Sequence, residues 1–343
     1  MYQYLKSALA TVLALGVVAT IAPATTNAQD LEPINVGVLQ YVEHESLDQN
    51  YQGFVDGLEE AGYVEGENLT LNYLNASGDN ANLQSMSENV ANGSDYLFAI
   101  ATPAAQSLAN VVTDKPLLFS AVSDPVGAGL VADLEEPGAN VTGTIDAGPI
   151  EDQVKLLQAV VPEAARVGLV YNSGEANSMS EAEKAREALE AAGIEVVEAT
   201  VTSTNDISQV MSSLVSDDID AIFTVTDNTI ASAMALVGDI AVEAELPIIG
   251  GSKDMTLANG LATYGLDYYE LGKQSAQMLV EIIEAGGETI PVQSAANLEL
   301  VVNEANAEKL GLDLSNIDLG TDKESSEETT EESEESESAE DSE

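Results

Sequence analysis

The segment Val36-Gly-Val-Leu39 returns 131 residues later as Val167-Gly-Leu-Val170, and its neighbours return with it. Leu58-Glu-Glu-Ala-Gly62 matches Leu189-Glu-Ala-Ala-Gly193, and Lys115-Pro-Leu-Leu118 matches Leu246-Pro-Ile-Ile249, at the same offset of 131. Asp95-Tyr-Leu-Phe98 matches Asp220-Ala-Ile-Phe223 at 125, so one loop of the second copy is shorter. An offset that recurs across successive landmarks marks an internal duplication far better than any one match does. Within each copy, short apolar runs bounded by turn residues alternate with segments of helical periodicity. Ile34–Leu39, Leu69–Leu74, Tyr96–Ala101 and Leu117–Ala121 read as strands. Between the first two, Tyr51, Phe54, Val55, Leu58 and Ala61 recur at helical spacing up to a capping Gly62. Strands alternating with helices predict parallel sheets with right-handed crossovers, hence an α/β chain of two doubly wound lobes.

The composition narrows the function. The 343 residues carry 60 Asp and Glu against 10 Lys and Arg, a formal net charge of −50, with one His, no Cys and no Trp. Without Cys there is no disulfide, thiolate metal site, cysteine nucleophile or lipid-modified cysteine, and one His rules out a His-rich metal centre. So few cations argue against nucleic acid, whose phosphates are bound through Lys and Arg. Thr321–Glu343 holds 12 acids and one Lys and reads as a solvated, disordered acidic tail, which leaves −39 on the other 320 residues. An acidic body of that kind suits a protein working in high salt, where self-repulsion is screened.

At the N-terminus, Lys6 precedes an apolar run from Ala8 to Ala22, then Pro23 and small residues to Ala28. That pattern predicts an export signal cleaved after Ala28 (residues 1–28), an uncleaved anchor being the alternative, since about 20 apolar residues are needed to span a bilayer. The mature chain is expected to be extracytoplasmic, in a periplasm or on the outer cell surface, and monomeric.

Ligands of doubly wound sheets bind beyond the carboxyl ends of the strands, and two facing lobes place that site in the cleft between them. The residues at those ends are Glu43, His44 and Leu47 after the first strand, Thr102, Ala104 and Ala105 after Tyr96–Ala101, and Ser123 and Asp124 after Leu117–Ala121. In the second copy they are Glu175, Ala176 and Asn177, then Asp227 and Asn228, then Asp254. The helix start at Thr102-Pro103 offers free backbone N–H groups to a carboxylate without any Lys or Arg. Asp227, at the matching place, offers an acceptor to an ammonium group. Each also has a purely structural reading: Thr102, Asp227 and Asn228 as helix caps, Asp124 as a turn residue before proline, His44 as a solvated loop residue. A zwitterion fits this pairing better than a phosphate does. No phosphate loop, zinc-binding helix or nucleophile elbow is present, and Gly127-Ala-Gly-Leu-Val-Ala132 falls in too late a unit for a dinucleotide site; no enzyme activity, cofactor or metal is expected.

Seven segments in order carry a specific resemblance: EHESLDQNYQGFVDGLEEAGY (43–63), AIATPAAQSLAN (99–110), FSAVSDPVGAGLV (119–131), ANVTGTID (139–146), LVYNSGEANS (169–178), TVTDNTIAS (224–232) and GLDYYELGKQ (265–274). From about Ile34 to Val302 the chain resembles the ABC-transporter substrate-binding protein family that includes the tryptophan/tyrosine transporter binding proteins. The resemblance implies the type I periplasmic-binding-protein fold, with three crossovers between lobes near Ile145–Ile150, Tyr264–Asp267 and Ile290–Val292. It divides the chain into a first lobe of 34–146 plus 265–290 and a second of 147–264 plus 291–318. It also implies a role: capture of a small, aromatic amino acid by hinge closure and delivery to a permease coupled to a separate ATPase subunit. A module that presents its ligand state to a membrane receptor is the competing role. Many family members carry a lipidated Cys, which this chain lacks.

Overall fold

The computed structural model describes residues 31–314; the expected export signal and acidic tail lie outside them. The first series is β1 (Ile34–Gln40), α1 (Glu45–Glu60), β2 (Leu69–Asn75), α2 (Asn80–Ala91), β3 (Tyr96–Ile100), α3 (Thr102–Val111), β4 (Leu117–Ser120) and β5 (Val141–Ile145). The second is α4 (Ile150–Val160), β6 (Arg166–Asn172), α5 (Ala176–Ala191), β7 (Glu195–Val201), α6 (Ile207–Leu214), β8 (Ala221–Thr224), α7 (Asn228–Ser232), α8 (Met234–Glu243), β9 (Ile248–Gly250), α9 (Lys253–Ala258) and β10 (Ala262–Gly265). After these come α10 (Tyr268–Glu284), β11 (Gln293–Ser294), β12 (Glu299–Val302) and α11 (Glu304–Lys309).

The duplication is visible in the sheets. Both have six strands, ordered β11-β5-β4-β3-β1-β2 and β12-β10-β9-β8-β6-β7, and only β12 runs antiparallel to its neighbour, β10. The repeated glycines sit in equivalent registers, Gly37 opposite Leu97 and Gly168 opposite Ile222. Each is where a helix-side group crowds the sheet: a Cβ on Gly37 would lie 2.4 Å from the Val90 carbonyl oxygen, and one on Gly168 would lie 2.9 Å from Leu214. β3, β4, β8 and β9 consist almost wholly of buried residues because helices cover both faces of each sheet. Phe54 of α1 stacks on Phe98 of β3 with ring centroids 3.8 Å apart in the first core. In the second, Phe223 and Leu169 pack under α4 and α5, and Ile222 and Val170 under α6 and α8.

The chain passes between the sheets at 146–149, 266–267 and 295–298. The last lies beyond the expected Ile290–Val292, because Gln293 and Ser294 still pair with Thr144 and Ile145 of β5 in the first lobe. A two-residue strand with no apolar alternation carries no sequence signal of its own. The second crossover returns α10 to the first lobe, where it lies against α1 almost backbone to backbone. A Cβ on Gly53 would stand 2.0 Å from the Tyr269 carbonyl oxygen, and one on Gly272 2.0 Å from that of Asn50. Lys253, at the start of α9, donates to Asp267 in the second crossover at 3.1 Å and to Glu299, just past the third, at 2.5 Å.

Candidate functional site: the cleft between the lobes

The carboxyl ends of the strands of both lobes converge on one narrow cleft. The first lobe contributes His44, Ser46 and Leu47 after β1 and Ala121 and Ser123 after β4. The second contributes Asn177 after β6, Thr226, Asp227, Asn228 and Ala231 after β8, and Ser252 and Met255 after β9. Asp146 and Tyr268 enter from the first two crossovers. Ala101 and Ala121, the residues just after β3 and β4, hold φ of +80° and +56°, a region costly for a residue with a Cβ. Strain of this sort concentrates where a loop must be aimed.

Three sets of hydrogen bonds cross the cleft. Ser46 Oγ donates to Asp254 Oδ2 at 2.8 Å and lies 3.2 Å from Ser252 Oγ. His44 Nε2 lies 3.3 Å from Asn228 Oδ1, whose Nδ2 donates to Glu175 at 2.6 Å. Ser180 Oγ donates to Asp124 Oδ2 at 2.6 Å. The lobes therefore meet directly, and burial pushes the His44 imidazole down to about 4.

The cleft is built of acids without cations. No Lys or Arg lines it among the described residues. Asp146 is buried and accepts from Ser123 Oγ and from the Tyr268 hydroxyl, each at 2.8 Å. Glu181, on α5 one turn beyond Asn177, is buried and accepts from the Thr226 N–H at 2.8 Å and the Gly148 N–H at 3.4 Å. Burial, then the charge of Asp146, raises Glu181 to about 8, and burial raises Asp146 itself. Asp227 caps α7 through the Ile230 N–H at 2.8 Å and takes the Asn172 N–H at 2.5 Å. Glu175 accepts from Asn172 Nδ2, Asn228 Nδ2 and both the N–H and the hydroxyl of Thr229. Burial, then Asp227, lifts Glu175 to about 7; burial also lifts Asp227. Burying carboxylates disfavours their charge, and hydrogen-bond donors recover part of it.

Of the residues the sequence nominated, His44, Leu47, Ser123, Asn177, Asp227 and Asn228 line the cleft. Asp124 and Asp254 serve the cross-lobe bonds, and Glu175 sits behind Asn228 as a buried anchor for it. Glu43 is exposed, Ala176 half-buried, and neither is on the cleft wall. Thr102, Ala104 and Ala105 are buried at the start of α3 and are not on the wall as the lobes stand; the Thr102 hydroxyl has no partner. The nominated residues leave out Asp146, Met255 and Tyr268, while Ser46, Thr226 and Ser252 lie beside nominated residues in the same strand-end loops. Asp146 and Tyr268 were quoted only as parts of motifs, at the crossovers, where one residue's position relative to the cleft depends on how two lobes are joined.

Among the described residues no helix is long and apolar enough to cross a membrane, and no group of His, Asp and Glu is placed to hold a metal. The profile of the ABC transporter substrate-binding proteins matches residues 35–320. A tyrosine-binding protein of Clostridioides difficile is 36% identical over 280 residues, 81% of each chain. The structure of an ABC domain in complex with L-Trp from Streptococcus pneumonia aligns with a TM-score of 0.79 at 36% identity, covering 83% of this chain and 97% of that one. The ligand-free, open structure of a substrate-binding protein from Clostridium difficile aligns at 0.63, with 38% identity and 82% and 97% coverage.

Proposed function

The chain belongs to the ABC transporter substrate-binding protein family, and from that premise we propose that it captures an aromatic amino acid of the tryptophan or tyrosine type. Capture occurs by closure of the two lobes, and the closed form delivers the ligand to a membrane permease served by a separate ATPase. The observation that carries this reading is the cleft itself: a small space, walled by acids and hydroxyls from both lobes, at the carboxyl ends of both sheets. Its acidic wall, Asp146 with Asp227, suits an ammonium group. Leu47, Ala231 and Met255 are the apolar groups against which a side chain would pack. Closure around a ligand shifts a pre-existing open–closed equilibrium, and only contacts made from both lobes favour the closed state.

The mature protein is proposed to be exported, the apolar segment before Ala28 acting as its signal, and to act as a monomer. Thermal-shift screening of the twenty L-amino acids at low and high salt, with native mass spectrometry of the purified protein, tests the reading. An aromatic amino acid should give the largest shift. A larger shift from a sugar or an aliphatic amino acid would replace the proposed ligand class.

A further inference from the structure

Asn177 is the first-turn residue of α5 that faces the cleft, and it is 3% exposed. Its Nδ2 is committed, donating to the Thr226 carbonyl at 3.1 Å and lying 3.3 Å from Ser178 Oγ. Its Oδ1 is buried with no donor from the described protein. A buried acceptor left without a donor costs about 1–3 kcal/mol, so such an atom on a binding wall is held for a donor that arrives.

The neighbourhood shows which donor. Thr226 receives Asn177 on its carbonyl and gives its N–H to Glu181, and Glu181 also takes the N–H of Gly148, two residues from Asp146. This chain of bonds links Asn177, on the second lobe, to the crossover that carries Asp146, and both residues line the cleft. The hydroxyls near Asp146 are already spent: those of Ser123 and Tyr268 point at its carboxylate, and that of Ser46 at Asp254. This part of the cleft has acceptors in excess and no cation to meet them. An ammonium group, with three N–H donors and a positive charge, satisfies an amide oxygen and a carboxylate together.

Resting on the amino-acid reading above, we propose that Asn177 is a specificity-determining residue: its Oδ1, together with the Asp146 carboxylate, receives the ligand's primary ammonium group. Asp146 belongs to a crossover and Asn177 to the second lobe, so the ammonium joins the hinge to the moving lobe and its capture favours closure. Asp227 then acts mainly by capping α7 and holding Asn172, its oxygens already accepting from Ile230 and Asn172. The site selects against solutes that carry a carboxylate but no amine.

The test is calorimetry on the full mature chain with L-tyrosine and L-tryptophan and with their des-amino forms, 3-(4-hydroxyphenyl)propionate and indole-3-propionate. The wild-type protein should bind the amino acid about tenfold or more tighter than its des-amino form. Asn177→Ala should lose about tenfold for the amino acid, and Asn177→Asp, which keeps an acceptor oxygen but not the amide donor, should stay within about threefold of wild type or bind tighter. Equal wild-type affinity for both members of a pair overturns the proposal, as does an Asn177→Ala variant of native circular dichroism that binds as wild type. Loss in Asn177→Asp equal to that in Asn177→Ala assigns the residue to structure alone and also overturns it. Failure of the wild-type protein to bind either amino acid would instead remove the reading on which the proposal stands.

Discussion

Ser180, in the second turn of α5, donates a 2.6 Å hydrogen bond to Asp124, in the turn after β4 of the other lobe. Burial alone would raise the Asp124 carboxyl; the Ser180 hydroxyl, the Gly127 N–H and the nearby Lys184 charge outweigh it and hold the group below its ordinary value. The bond exists only with the lobes together, so it stabilises the closed form and not the open one. The same is true of His44 with Asn228 and of Ser46 with Asp254.

Ser180→Ala is therefore expected to weaken ligand binding by roughly three- to tenfold, about 1 kcal/mol for one partly exposed hydrogen bond to a carboxylate, while leaving the order of preference among ligands unchanged. Small-angle scattering of the ligand-free variant should show a larger radius of gyration than the wild type. Unaltered affinity would mean that the bond contributes nothing to closure.

Asp227→Ala removes the cap of α7 and leaves the Asn172 N–H unpaired. Loss of a cap costs about 0.5–2 kcal/mol, and the buried N–H adds to it. The expected result is a lower melting temperature and affinity reduced by about tenfold or more, because Asn172 and Glu175, behind the wall, hold Asn228 in it. Unchanged affinity for every amino acid would contradict the placement of the site.

How far the sequence alone led can be seen residue by residue. The duplication at 131 residues announced two sheets of equal strand order, because buried parallel strands must be apolar on both faces and leave an unmistakable run. His44, Ser123, Asn177 and Asp227 could be placed because each directly follows such a run. Asp146 and Tyr268 could not: their contact, 2.8 Å between residues 122 positions apart, is set by the meeting of two crossovers. Asp124 and Asp254 were legible as cleft-edge acids but not as parts of cross-lobe bonds, which depend on how far the lobes close. The third crossover was expected a few residues too early because β11 is paired through its backbone and its residues, Gln293 and Ser294, have no strand preference.

Stability should depend on pH in a defined window. Glu181, raised to about 8, and Glu175, raised to about 7, hold protons in the folded chain that they release in the unfolded one from the ordinary carboxylate range upward. Their contribution to stability is complete below that ordinary range and is lost as pH rises through 7 and 8. His44, lowered to about 4, works in the opposite sense but only below about 6.5. Between pH 6.5 and 8 the melting temperature of the ligand-free protein should therefore fall. Glu181→Gln, neutral throughout, should flatten that fall; an equally steep variant would show that Glu181 does not titrate there.

The charge of −50 is opposed by few ion pairs, those of Lys155, Arg166, Arg186, Lys253 and Lys273 among the described residues. Self-repulsion of that size is screened over about 10 Å at 0.1 M salt and about 3 Å at 1 M. The melting temperature should rise steeply with NaCl or KCl across that range. A flat response would remove the case for a high-salt setting.

Isothermal titration calorimetry of the mature protein with L-tryptophan, L-tyrosine and a panel of other amino acids and sugars tests the central claim most directly. One aromatic amino acid should bind at one site per chain, tighter than any other solute tested. Saturable binding of a sugar or an aliphatic amino acid, with no heat from either aromatic ligand, would contradict it.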